Sequence, residues 1–202
     1  MDANEVENAY FYDKFVNHYR SIVGTDQPRA YDAGSYLTRI EYGRASQIPG
    51  ALLPAKVELK CVGRCVERMA EADPLGDEPP PCPGISSNPE SYPDVPTDLM
   101  YDGTAADSDC AGMTYYPTFF TTDMLWDIKT YVSNDGGNTW NPAMQYQTKH
   151  GLPNPDGTIG KTLWFDYIQR MGYGDGPDQR LPVINFNGEW LDNQVGACGD
   201  SG

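Results

Sequence analysis

The sequence predicts an all-β fold, an antiparallel β-sandwich or meander with one long, proline-rich loop stapled by disulfide bonds. Of the 202 residues, 14 are Tyr and 4 are Trp, which favour strands over helices. The 21 Gly and 17 Pro are typical of many short elements joined by turns. Asp-Gly pairs at 135–136, 156–157 and 175–176 supply the backbone conformations of tight hairpins. No helix-length periodic run follows any strand, which argues against a βαβ fold.

Residues 1–24 form an N-terminal aromatic segment that suits either of two structures. Phe11, Phe15 and Tyr19 recur every four residues, which fits a short helix, while the aromatic content fits a strand. Further strands are predicted, in chain order, over 36–43, 56–62, 115–132 (two strands or one bent strand), 141–150, 161–171 and 181–191.

The strands after residue 24 are assigned to one β-rich module, residues 25–195, followed by a flexible tail over 196–202. Within the module, residues 70–113 are predicted to be a long loop, because they carry eight prolines and many acidic residues. A loop of this length in a compact domain is usually functional, cross-linked or disordered. Cross-linking is the economical interpretation here.

Four cysteines lie around that loop and are the disulfide candidates: Cys61, Cys65, Cys82 and Cys110. Disulfides persist in oxidising compartments and would hold a loop that packs poorly. The alternative is a four-thiolate zinc site, but no second closely spaced pair follows Cys61 and Cys65. The pairing stays open, and Cys198 is left over. No His neighbours the first pair, which argues against a cysteine nucleophile.

The net charge is −15, from 29 acidic and 14 basic residues. Such an acidic chain repels nucleic acid phosphates and anionic lipids, so neither is an expected partner. No apolar run is long enough to span a bilayer, so no membrane insertion is expected. The first ten residues have no features of a secretory signal. The chain is therefore either cytosolic or a segment of a longer exported protein.

Residues 133–140, SNDGGNTW, resemble the Asp-box pattern S-x-D-x-G-x-T-W at Ser133, Asp135, Gly137, Thr139 and Trp140. The resemblance implies a β-hairpin in which the Asp bonds turn amides and the Trp packs beneath. Asp-boxes recur in sialidase propellers and other secreted carbohydrate-active proteins. A sialidase propeller needs several blades and an arginine cluster, and neither is visible here. The alternative function is therefore an extracellular carbohydrate- or calcium-binding β-module built around this hairpin.

Other chemistry has weaker support in the sequence. Asp102, Asp107 and Asp109 lie in a loop with the oxygen ligands that calcium prefers, but without the EF-hand order of acids, so a solvated loop is favoured. His18 and His150 are too few and too far apart for a metal site. No phosphate-binding glycine loop, nucleophile elbow or zinc-protease helix is present. We expect no enzyme activity and no cofactor other than a weak calcium candidate.

A succession of six motifs resembles a segment found upstream of the repeat array in the RHS, or Tyr-Asp (YD) repeat, proteins of actinobacteria. It spans roughly residues 25–195. The motifs are YDAGSYLTRIEYG, PAKVEL, SYPDVPTD, YPTFFTTDMLWDIKTYV, TLWFDYIQRMGYG and LPVINFNGEWLDNQV.

The chain departs from the family pattern at Tyr92 and Thr97, where Trp is expected, and in TTDML and NQVG, which lack the family's basic residues. No second copy of the first motif follows at a fixed period, so it is not a repeat of the shell. The resemblance implies a non-catalytic β-module of a secreted or surface-displayed, polymorphic toxin-like protein. Its partners would be other domains of the same polypeptide. None of the 202 residues corresponds to a toxin domain.

Overall fold

The chain folds into an antiparallel sheet whose strands follow one another in sequence order. The computed structural model describes residues 6–20, 29–45, 54–71, 81–85, 87–97, 115–154, 158–174 and 176–188. The elements in these ranges are β1 (Val6–Tyr19), β2 (Arg29–Ala45), β3 (Ala55–Gly63), α1 (Val66–Glu71), a 3-10 turn (Pro89–Ser91), β4 (Asp123–Val132), β5 (Asn141–Gly151), β6 (Trp164–Gly172), β7 (Gln179–Arg180) and β8 (Ile184–Asn185). The sheet order is β1 to β7, and β8 also pairs with β6. The predicted all-β class is confirmed, in the form of the meander.

The N-terminal aromatic segment is a strand, not a short helix. β1 pairs with β2 along nearly its whole length, from Tyr19 opposite Arg29 to Val6 opposite Ala45. Three register shifts interrupt this ladder, and β-bulges of this kind bend and twist a strand. β2 is longer than the predicted range 36–43 because β1 offers it hydrogen-bonding partners over almost its full length.

A small hydrophobic cluster, the core corner, lies where α1 packs against the middle strands. Its buried members are Val62, Met69, Met124, Trp126 and Leu152. Val62 lies directly opposite Met124 in the β3–β4 ladder, so both side chains point to the same face of the sheet. The short helix supplies Met69 to cover them.

The predicted long loop is stapled at its start by the Cys65–Cys82 disulfide, whose Cα atoms are 5.7 Å apart. Cys65 is buried in a second apolar cluster with Tyr92 and Val95. The Tyr92 hydroxyl donates a hydrogen bond of 2.7 Å to the Pro83 carbonyl. The disulfide and the aromatic ring together hold residues 81–85 and 87–97 against the end of β3.

An ion pair adds to this attachment. Arg64 Nε lies 3.3 Å from Asp94 Oδ2, and both side chains are largely shielded from water. Burial raises the pKa of Asp94, and the Arg64 charge acts in the opposite direction. Burial also lowers the pKa of Arg64. Desolvation therefore offsets much of the attraction between the two charges.

The structure differs from the predicted elements in three places. α1 was not predicted, because six residues are too few to show a helical period. Residues 115–122 do not form the predicted strand. The Thr118 amide donates a hydrogen bond to the Tyr31 hydroxyl, and that hydroxyl donates one to the Thr118 carbonyl, so this segment crosses β2. Of the predicted strand 181–191, Ile184–Asn185 is the only described stretch that forms a strand, and residues beyond 188 lie outside the described part of the chain. The Leu181 and Phe186 amides each donate a backbone hydrogen bond to β6. None of the described helices is long and apolar enough to cross a membrane.

Candidate functional site

The loop of residues 133–140 joins β4 to β5 and is organised around the carboxylate of Asp135. Its Oδ1 accepts hydrogen bonds from the Thr139 amide (2.8 Å) and the Ser133 hydroxyl (2.9 Å). Its Oδ2 accepts one from the Thr139 hydroxyl (2.6 Å). These bonds stabilise the charged form, so the pKa of Asp135 is lowered, chiefly by the hydroxyl and amide of Thr139. Both carboxylate oxygens are thus engaged in hydrogen bonds within the loop itself.

Gly136 and Gly137 let the chain reverse in this loop. Their φ angles are 85° and 86°, in the left-handed region that favours glycine. A Cβ on Gly137 would lie 3.3 Å from the Trp140 ring, so the indole packs closely against the turn. The Lys56 ammonium lies 4.8 Å from the centroid of the Trp140 ring. The loop is therefore tied to β3 through its aromatic residue.

The four disulfide candidates have different surroundings. Cys65 and Cys82 are bonded, so they are not available to the alternative four-thiolate zinc site. Cys61 is a free thiol on β3, and Cys110 lies outside the described residues. Burial, with the nearby carboxyl of Asp123, raises the pKa of Cys61. The thiol is therefore kept protonated and poorly nucleophilic at neutral pH.

Cys61 opens onto an apolar pocket of about 370 Å³. Phe15 and Tyr36 line it from the outer strands, Phe120 from the segment that leads into β4, and Leu125 from β4 itself. The pocket offers a surface for apolar contact, but no activated nucleophile.

A second, polar cleft of about 380 Å³ lies over β2, β3 and β4. We define the polar cleft by its charged and aromatic lining residues: Arg39, Glu58, Lys60, Asp127, Lys129 and Tyr131. Strand register brings them together, because Lys60 is opposite Asp127 and Glu58 is opposite Lys129. Residues directly opposite in a ladder share a face of the sheet. Lys60 is two residues from Val62 on β3, so the cleft lies on the same face of the sheet as the core corner, further along the strands.

Burial dominates the electrostatics of the polar cleft. It raises the pKa of Asp127, against the effect of Lys129 and Lys60. Burial, followed by the charge of Glu58, raises the pKa of Tyr131 to about 12. Asp127 also accepts a hydrogen bond of 3.2 Å from Gln145 Nε2. The Tyr173 hydroxyl contacts the other end of the same amide.

The sequence interpretation missed the polar cleft, although a signal for it was present. In KVELK every second residue is charged, with the signs plus, minus, plus at Lys56, Glu58 and Lys60. In DIKTY the signs are minus at Asp127 and plus at Lys129. Two such strands side by side and antiparallel place opposite charges face to face. What the sequence does not supply is the register, which decides which charges meet.

The other predicted site residues contribute less. The calcium candidates Asp102, Asp107 and Asp109 lie outside the described residues. In the described ranges no three His, Cys, Asp or Glu side chains group as they would around a metal ion. His150 is in β5, where burial and then the charge of Lys149 lower its pKa to about 4. Its Nδ1 atom is buried without a hydrogen-bond partner.

Both edges of the sheet expose large apolar side chains. On the outer strand β1, Tyr10, Tyr12 and Val16 are 55%, 59% and 53% exposed. At the opposite edge, Ile184 is 62% exposed and Phe186 is 45% exposed. Among the described strands none pairs with the outer side of β1; only the isolated bridge of Arg20 with Tyr115 adjoins its end.

No protein-family model, no curated protein and no solved structure matches this chain.

Proposed function

We propose that the chain is a non-catalytic structural β-module of an exported protein of the RHS, or Tyr-Asp repeat, type. The observation that carries this proposal is the outer edge of the sheet at β1, which exposes apolar side chains and to which no further strand of the described residues pairs. An edge strand that is long and apolar is a template for pairing with another chain, and independent proteins usually shorten, charge or cover such edges. β1 extends over 14 residues and bears four exposed aromatic or aliphatic side chains, those of Tyr10, Phe11, Tyr12 and Val16.

The partner that fits these edges is the rest of the same polypeptide. A module inside a β-structured shell continues its sheet into its neighbours, so its edge strands are covered in the complete protein. The motif succession over residues 25–195 places the module next to such a shell in the family it resembles. The scaffold role thus explains why long strands and a small core occur together.

The cysteine pair supports an exported location. A structural disulfide such as Cys65–Cys82 is retained in oxidising compartments and is rare in the cytosol. It anchors a segment that contributes Tyr92 and Val95 to an apolar cluster, so the fold depends on the bond. The module therefore functions outside the cytosol, secreted or at the cell surface.

The second candidate is the extracellular binding module built around the loop 133–140. Trp140 favours it, since its ring lies beside the polar cleft, with the Lys56 ammonium close to both Trp140 and Tyr131. Asp135 does not favour it as a calcium ligand, because both its oxygens are engaged in the turn. A calcium titration followed by calorimetry tests this candidate, and saturable micromolar binding would support it over the scaffold.

The scaffold proposal is tested by the coding sequence on both sides of these 202 residues. A reading frame that continues into tandem Tyr-Asp repeats supports the proposal. A frame that ends after Gly202 with no repeat region contradicts it. The biochemical counterpart is limited proteolysis of this chain alone and joined to its natural neighbours. We expect β1 to be cleaved only in the chain alone.

A further inference from the structure

The polar cleft carries an arrangement of charge that the scaffold role does not require. Glu58 faces Lys129 and Lys60 faces Asp127, so opposite signs alternate both along and across β3 and β4. The third cationic side chain of the cleft is that of Arg39, whose Nε lies 3.0 Å from Glu41 Oε1. A ligand with a large net charge of either sign would meet repulsion here as well as attraction. An uncharged ligand that carries both hydrogen-bond donors and acceptors meets complementary groups throughout.

The row of polar side chains continues beyond the cleft, across β5 and β6. Asp127 is opposite Gln147 in the β4–β5 ladder, and Gln147 is opposite Gln169 in the β5–β6 ladder. All three are buried, Asp127 to 7% exposure. The side-chain oxygens of Gln147 and Gln169 accept no hydrogen bond. Burying polar groups costs free energy, and unsatisfied ones are uncommon in folded proteins.

Polar groups that are held at a cost in stability are common at binding sites. The buried row of Asp127, Gln147 and Gln169 extends from the cleft across β5 and β6.

The rim of the cleft provides an aromatic surface. The Lys56 ammonium lies 4.6 Å from the Tyr131 ring and 4.8 Å from the Trp140 ring, and it donates a hydrogen bond of 2.6 Å to Glu58. The two rings are thus linked through one cation beside the charged lining. Rings at the edge of a polar surface suit the apolar C–H faces of sugars, while carboxylates and ammonium groups suit the hydroxyls.

We propose that the polar cleft is a binding site for a neutral carbohydrate. Its volume of about 380 Å³ falls within the range of small-ligand sites, about 300–1,000 Å³. The site is on the face of the sheet, not at its edges, so a module that is paired at both edges still presents it. The proposal goes beyond the scaffold role, and the one can fail while the other stands.

The test uses a glycan array followed by calorimetry on the whole chain. The array carries neutral and anionic oligosaccharides, and maltohexaose, cellohexaose, chitohexaose and oligogalacturonate are the soluble probes. We expect saturable binding of at least one neutral oligosaccharide and weaker binding of the anionic ones. Glu58→Gln and Lys60→Gln each weaken that binding roughly tenfold or more, as expected when a hydrogen bond to a charged group is lost.

Matched controls carry the same chemical changes outside the cleft: Glu90→Gln on the 3-10 turn and Lys161→Gln before β6, both exposed. These should bind like the original chain. Circular dichroism shows whether each variant is folded. If a variant is unfolded, the site is tested on the original chain, whose amide resonances in β3 and β4 should shift in nuclear magnetic resonance spectra when the oligosaccharide is added. Binding by no neutral glycan, binding by anionic glycans alone, or equal effects of cleft and control variants would overturn the proposal.

Discussion

The core corner and the outer hairpin of β1 and β2 are both antiparallel β-structure, yet they are stabilised in different ways. In the core corner Val62, Met124 and Trp126 are buried under α1, and the Cys65–Cys82 disulfide fixes the adjoining loop. In the outer hairpin the backbone ladder is long, but Tyr10 and Tyr12 remain mostly exposed. The difference separates a region that is stabilised by its own packing from one whose apolar surface, as we propose, is covered by a neighbouring domain.

The largest effect is expected from breaking the core corner at Trp126. Trp126→Ala removes the largest side chain of the cluster and leaves a cavity, which costs about 3–5 kcal/mol of unfolding free energy. Tyr12→Ala is the control in the outer hairpin and should cost less than about 1 kcal/mol. Urea unfolding followed by circular dichroism measures both. Similar losses for the two variants would remove the distinction between the regions.

The second-largest loss of stability is expected from removing the disulfide. Replacing both Cys65 and Cys82 by Ala frees a loop with a sequence separation of 17 and should lower the unfolding free energy by about 3 kcal/mol. Cys61→Ala, a matched change in a thiol without a bond, should cost less than about 1 kcal/mol. Denaturation with and without a reductant gives an independent comparison. If reduction leaves the stability of the original chain unchanged, the staple does not contribute to it.

A pH-dependent contribution is expected from His150. Its folded pKa of about 4 lies below the usual 6.5, so the unfolded chain binds a proton first as the pH falls. The contribution is present above pH 6.5 and is lost as the pH falls towards 4. It amounts to at most about 3 kcal/mol, less what partial solvent exposure screens. As the pH falls from 6.5 towards 4, the unfolding free energy of the original chain should therefore decrease relative to that of His150→Gln. A constant difference would show that His150 is not held neutral by burial.

The smallest effect on stability is expected at the edge. Tyr12→Lys and Val16→Lys place charges on an exposed strand, so each should change the unfolding free energy by less than about 0.5 kcal/mol. The same changes should lower self-association of the isolated chain, because charged edges resist pairing. Light scattering at increasing concentration measures this. Loss of stability without any change in association would assign these side chains to the fold itself.

Part of this architecture could be predicted from sequence, and the limits have physical causes. β5 and β6 agree with their predicted ranges to within a few residues, because apolar alternation and adjoining turns mark them. β1 stayed ambiguous because Phe11, Phe15 and Tyr19 satisfy a helical spacing, and the choice depends on its pairing with β2. The polar cleft depends on the register of β3 against β4. The partner of Cys65 depends on how the loop returns to the end of β3.

Amide hydrogen exchange of β1 tests the central claim most directly. It compares this chain alone with the same chain joined to its natural flanking segments. We predict that residues 8–17 exchange at least about tenfold more slowly in the longer polypeptide, because a neighbouring strand covers the outer edge of β1. The core corner should exchange slowly in both. Equal exchange of β1 in the two proteins would contradict the account.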